Sequence, residues 1–212
     1  MSRTYAAIAL GATAVFLAGI TAYVTLGRTP QDPFDPCRQS RVAGGMAEIG
    51  GPFTLTDAAG RQVTEAEVLA KPALVYFGYT FCPDVCPFDM TRNVAAVEEL
   101  RGKGFDVTPV FVSVDPERDT PEALADWVAA FDPGMVALTG TPEQIRDAAR
   151  AYKVYYRAAD HEPGEEYYNV DHTAFTYLML PGHGFAEFYR RETTPEEMAA
   201  SASCFLRAAG AR

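Results

Sequence analysis

The sequence has no surplus of positive charge. Lys and Arg number 18 against 28 Asp and Glu, a formal net charge of −10. Binding nucleic acid needs a basic face that neutralises phosphates, so that function class is excluded. Cysteine is scarce, at four residues. Four are too few for a disulfide-dense scaffold and enough for one reactive site. Histidine numbers only three, so each imidazole can be weighed singly. No long internal repeat is present. What remains is typical of a packed domain. The 212 residues suit one to two domains, and the 48% hydrophobic and 22% charged content excludes a disordered tail protein.

Residues 4–27 (TYAAIALGATAVFLAGITAYVTLG) carry no charge and lie between Arg3 and Arg28. A helix needs about 20 apolar residues to cross a bilayer core. A cleaved signal peptide is the rival reading, but its apolar core should be shorter and end at a small-x-small site. Here Ala12-Thr13-Ala14 falls mid-run, and Ile20 stands where a lipoprotein box would need Cys. Residues 1–28 are therefore predicted to be an uncleaved N-terminal transmembrane helix. Positive-inside counting is nearly silent on orientation. The signal-like position favours an exported domain. Too little chain precedes the run for an Arg-rich transit peptide, so a bacterial inner membrane is expected, single-pass, with the domain facing the periplasm. Residues 29–48, with several Pro and a Gly pair, read as a linker. Residues 49–212 read as the domain.

Within the domain, residues 53–55 and 61–63 flank a turn at 57–60 and read as a hairpin. Residues 73–77 (ALVYF) form a short apolar run expected of a strand buried on both faces. Met90, Val94, Val97 and Leu100 recur at helical steps, which predicts a helix over 87–103. Residues 107–114 read as a second buried strand, with Pro109 a mild objection. Thr-Pro-Glu at 120–122, 141–143 and 194–196 marks three helix starts, with Thr at the N-cap and Pro first in the helix. Gln144 and Glu197 complete two capping boxes. Residues 135–138, 174–180 and 185–189 supply further strands. The order suits an α/β fold, a central mixed sheet flanked by helices. A thioredoxin-like arrangement with an added N-terminal hairpin fits it.

Cys82 and Cys86 (FCPDVCP) lie between the apolar strand and the next helix. A helix start offers unpaired N–H groups and a positive dipole end, which stabilise thiolates. Two uses compete. The pair can cycle between dithiol and disulfide, or both thiolates can hold a metal. Three intervening residues give a wider bite than redox pairs commonly use. A metal needs a third ligand, and the candidates are His161, His172 and His183. His172 precedes a strand at the junction that faces the active-site helix in thioredoxin-like folds. His161 and His183 sit in polar turns and read as ordinary turn residues. Two thiolates and one imidazole form a soft, low-coordinate set that favours copper, as Cu(I) or Cu(II), over hard cations. Structural zinc wants four protein ligands, which Asp84, Asp171 or His161 could complete.

The segments YTFCPDVCP (79–87), SVDPERDTPE (113–122), FDPGMVALTGTPEQI (131–145) and VDHTAFTYLMLPG (170–182) resemble motifs of the SCO/SenC family of copper chaperones for cytochrome c oxidase assembly. IGGPFTLTDAAG (49–60) resembles that family's opening segment. The resemblance implies a thioredoxin-like fold on a single membrane anchor. It implies delivery of copper to the CuA site of cytochrome c oxidase subunit II or another cuproprotein, or thiol–disulfide reduction of the target's cysteines. The family's metal ligands would fall on Cys82, Cys86 and His172.

Asp115–Asp119 (DPERD) can shape the site or simply form an acidic turn before the next helix. Asp84 and Asp171 can tune the ligands or remain solvated. Trp127 reads as packing. Cys37 in the linker and Cys204 in the last helix can pair as a structural disulfide in an exported domain, or stand as independent thiols. A thioredoxin-like peroxidase is disfavoured, because no Thr-x-x-Cys element is present.

Overall fold

The computed structural model describes residues 5, 11, 13–21, 32–38, 49–162 and 164–211. The chain divides into two compact units, Met1–Asp35 and Pro36–Arg212. In the first, residues 13–21 are helical. Among the described residues no helix is long and apolar enough to cross a membrane. Residues 4, 6–10, 12 and 22–27 of the expected span lie outside the described residues.

The second unit carries the folded domain, and residues 39–48 of the expected linker lie outside the described residues. Within this unit Cys37 and Cys204 form a disulfide, with Cα atoms 5.6 Å apart. The expected hairpin is β1 (Thr54–Asp57) and β2 (Gln62–Thr64), paired antiparallel. Asp57 shapes its turn by accepting the N–H groups of Ala59 and Arg61 at 3.0 and 2.9 Å. A short helix, α1 (Glu65–Val68), follows. Next come β3 (Ala73–Gly78), α2 (Val85–Gly102), β4 (Thr108–Ser113) and α3 (Pro121–Phe131). Then come β5 (Val136–Thr139), α4 (Pro142–Ala151), β6 (Tyr156–Ala158) and β7 (Val170–His172). The chain closes with β8 (Thr176–Leu180), β9 (Gly184–Tyr189) and α5 (Pro195–Ala208).

The three Thr-Pro-Glu starts behave as their chemistry requires. Thr120, Thr141 and Thr194 accept the N–H groups of Ala123, Gln144 and Glu197, and the latter two form reciprocal capping boxes. Seven strands form one mixed sheet in the order β2-β1-β5-β4-β3-β8-β9. β3, β4 and β5 run parallel, and the outer pairings are antiparallel. All six residues of β3 are buried, as its unbroken apolar run implied. Pro109 stands one residue before the β4–β5 ladder begins at Val110, where a missing donor is tolerated. Trp127 packs against Phe111 and Phe131, with ring centroids 5.2 and 4.7 Å away. α2 packs on β3, β4 and α5. β6 and β7 form a separate two-stranded sheet in which Tyr156 faces His172.

Candidate metal centre

β3 ends at Gly78, and a short loop leads to α2. A Cβ at Gly78 would lie 2.7 Å from Tyr76 Cε1 and 2.9 Å from Cys86 Sγ. Only glycine lets the strand end abut that sulfur. α2 starts at Val85, two residues earlier than expected, with Asp84 at the N-cap. Pro87 thus lies inside the first turn, where a backbone N–H has no intrahelical partner to lose. The early start places Cys86 within the helix, and its orphan N–H reaches Cys82 Sγ at 3.4 Å.

Cys82 and Cys86 are both free thiols, and both are buried. His172, at the end of β7, brings Nε2 to 3.4 Å from Cys86 Sγ. Its Nδ1 lies 3.3 Å from the Thr173 carbonyl. The ring meets Tyr76 and Tyr79 edge-on at 6.1 and 5.9 Å. Sequence positions 82, 86 and 172 therefore meet at one point, contributed by a loop, a helix and a strand of the smaller sheet. His161 does not join them. It stacks on Tyr168 at 3.7 Å and bonds Glu117 at 3.2 Å. His183 sits in the exposed β8–β9 turn, its N–H bonded to the Leu180 carbonyl. Asp84 and Asp171 line an open cleft of about 460 Å³ together with Tyr79, Cys82, His172 and Arg191. Cys86 lies behind it, fully buried.

The two sulfurs share their protons unequally. The Cys86 thiol, then His172 and the backbone N–H groups of Cys86 and Asp84, hold Cys82 well below an ordinary thiol pKa despite its burial. The neighbouring Cys82 thiolate and burial push Cys86 far upward. These surroundings favour the charge on Cys82 and the proton on Cys86. Burial raises Tyr79 to about 12. Burial also raises Tyr76, with the adjacent Cys86 and Asp89 adding to it. Both phenols stay neutral, and Tyr76 OH donates to Asp89 at 3.0 Å. Asp89 is paired with Arg92 at 3.3 Å and Arg191 at 3.6 Å, so a charged cluster underlies the fully buried sulfur.

Among the described residues no group of three or more His, Cys, Asp or Glu stands in a geometry that could hold a metal ion as it is. The trio is drawn together on its own hydrogen bonds. Ligands at about 2.0–2.3 Å around a three-coordinate ion stand roughly 3.8 Å apart. The 3.4 Å sulfur–nitrogen contact would open by a few tenths of an ångström to admit one.

A model of the SCO1/SenC family matches residues 42–207. The chain belongs to the SCO1/SenC family. Protein SenC of Rhodobacter capsulatus is 50% identical over 206 residues, covering 97% of this chain and 92% of that protein. The human mitochondrial SCO1 homologue is 41% identical over 165 residues, and the match spans 77% of this chain but only 54% of that longer protein. The crystal structure of Arabidopsis thaliana ScoI with copper bound superposes at TM-score 0.70 with 39% identity, covering 75% of this chain and 99% of that one. BsSco, described as a member of the Sco family of cytochrome c oxidase assembly proteins, shares the fold at TM-score 0.59 and 24% identity, over 74% of this chain and 93% of that one.

This SCO1/SenC chain also builds its site from residues that sequence reasoning undervalued. Asp119 is fully buried and accepts the Thr80 N–H at 3.0 Å, the Thr80 hydroxyl at 2.6 Å and the Ser113 hydroxyl at 2.5 Å. It bolts down the loop that carries Cys82. Asp115 bonds Arg118 at 2.6 Å and accepts the Tyr168 hydroxyl at 2.7 Å. The acidic turn at 115–119 is thus part of the site's frame. Its carboxylates were visible in the sequence, but their partners, 39 and 53 residues away, were not.

Proposed function

We propose that the protein is a membrane-anchored copper metallochaperone. Cys82, Cys86 and His172 hold one copper ion as cargo and pass it to the CuA site of cytochrome c oxidase subunit II, or to another cuproprotein, by ligand exchange. The observation that carries this reading is the convergence of His172 Nε2 on Cys86 Sγ at 3.4 Å, beside the Cys82 thiolate. Two sulfurs and one imidazole are a soft donor set suited to copper. Cys82 and His172 border the cleft, so the ion has a path in and a recipient's ligands can reach it there. Family membership and a relative with copper bound support the assignment. Residues 1–28 anchor the domain in a bacterial inner membrane, facing the periplasm. An oxidising compartment agrees with the Cys37–Cys204 disulfide.

A second reading is favoured by one observation. Two free thiols four residues apart, with the charge favoured on Cys82, are the reduced form of a thiol–disulfide oxidoreductase pair. His172→Ala separates the two. The chaperone reading expects this variant to lose tight Cu(I) binding in chelator competition while its cysteines still form and reduce a disulfide. Copper held as tightly as in the wild type would sink the three-ligand assignment. A wild type that binds no copper yet reduces a disulfide substrate would establish the oxidoreductase instead.

A further inference from the structure

The β6–β7 sheet that carries His172 shares no strand pairing with the seven-stranded sheet that positions Cys82 and Cys86. The turn at 115–119 bridges the two. The Arg118 side chain is buried within it. Nη1 donates to the carbonyls of Glu166 at 3.0 Å and Tyr168 at 2.9 Å, just before β7. Nε donates to Asp115 at 2.6 Å, and Asp115 in turn takes the Tyr168 hydroxyl. The guanidinium lies 3.5 Å over the Tyr168 ring and 4.9 Å from the ring of Phe81, the neighbour of Cys82. Nη2 is buried without a hydrogen-bond partner. An unpaired buried donor costs stability, and beyond Asp115 in its own turn the contacts of this arginine fall on the two segments that flank the site.

We infer that Arg118 is a positioning residue that latches the histidine-bearing arm to the cysteine loop and so sets the copper site's third ligand. It touches none of the three proposed ligands. It acts through the backbone of 166–168, four residues up the chain from His172, while Asp119 in the same turn anchors Thr80 on the other side. One short turn thereby grips both halves of the site. The planar fork is essential, because two carbonyls, a carboxylate and two ring faces are met at once, which a single ammonium cannot do. Tyr168 and Val170 stay buried in the core, so the arm keeps its fold when the latch is removed.

The inference rests on the copper reading above, and the test separates the two. In the full-length reduced protein, Arg118→Gln and Arg118→Lys weaken Cu(I) binding by about 10- to 100-fold in chelator competition, the loss typical of outer-shell changes. In a His172→Ala background the same substitutions cost nothing further, because the ligand they position is gone. Without copper, amide hydrogen exchange in residues 156–158 and 170–172 quickens in Arg118→Gln, while β3 and β4 are unchanged. Equal loss in both backgrounds overturns the inference, and so does unchanged exchange in the arm. A wild type that binds no Cu(I) defeats the copper reading instead, and the exchange result then decides the latch alone.

Discussion

At the scale of single residues, the site depends on one proton shared by two sulfurs. The Cys86 thiol, His172 and two backbone N–H groups lower the pKa of Cys82 and favour the anion there. Cys86, fully buried against that anion, keeps its proton. A lowered pKa means the charged form survives as pH falls. The thiolate absorbance of the reduced, metal-free protein should therefore persist from neutral pH well into the acid range and disappear in Cys82→Ser. Thiolate absorbance that vanishes near the ordinary thiol pKa would show that the charge is not held at Cys82. Two cysteines four apart before an apolar-periodic run made this pair legible in the sequence. Its asymmetry was not legible, because that depends on which N–H groups and which histidine reach each sulfur. The same limit applied to Asp119 and Arg118, whose roles exist only once residues 80, 166 and 168 fold against them.

At the scale of elements, local chemistry decided most of what the sequence could reveal. Three Thr-Pro-Glu caps, the buried run at 73–77 and the hairpin at 54–64 all form where their residues called for them. β6 and β7 escaped notice, since three-residue strands show too little alternation to register and owe their existence to pairing with each other. α2 begins before Pro87 because its first turn needs no donor there. The β1–β2 turn offers a test. Burial alone would raise Asp57, but the N–H groups of Arg61 and Ala59 and the Arg61 guanidinium overcome it and lower its pKa below 3.8. A carboxylate with a depressed folded pKa contributes stability that is full above its unfolded value and lost as pH falls through the folded one. Asp57→Asn should therefore be less stable than wild type at neutral pH, with the gap closing below about pH 4, as measured by urea unfolding. A gap constant across that window would remove Asp57 from the turn's electrostatics.

At the scale of the whole molecule, a disulfide, a sheet and a latch cooperate to present one site. The Cys37–Cys204 bond joins positions 167 residues apart and ties the chain that follows the first unit to α5. Closing so long a loop restricts the unfolded chain strongly, and removing a native bond of this kind costs about 2–5 kcal/mol. Cys37→Ser with Cys204→Ser should lower stability by that order while leaving the proposed ligands Cys82, Cys86 and His172 untouched, read by denaturant midpoint and by Cu(I) affinity together. Copper affinity falling in step with stability would instead tie the staple to the site. The central claim is that two sulfurs and one imidazole grip a single copper ion. X-ray absorption spectroscopy of the copper-loaded full-length protein measures it most directly. The account predicts one copper bound by two sulfurs and one histidine nitrogen, with the nitrogen contribution lost in His172→Ala; copper bound without that nitrogen in the wild type, or an unchanged spectrum in the variant, would contradict it.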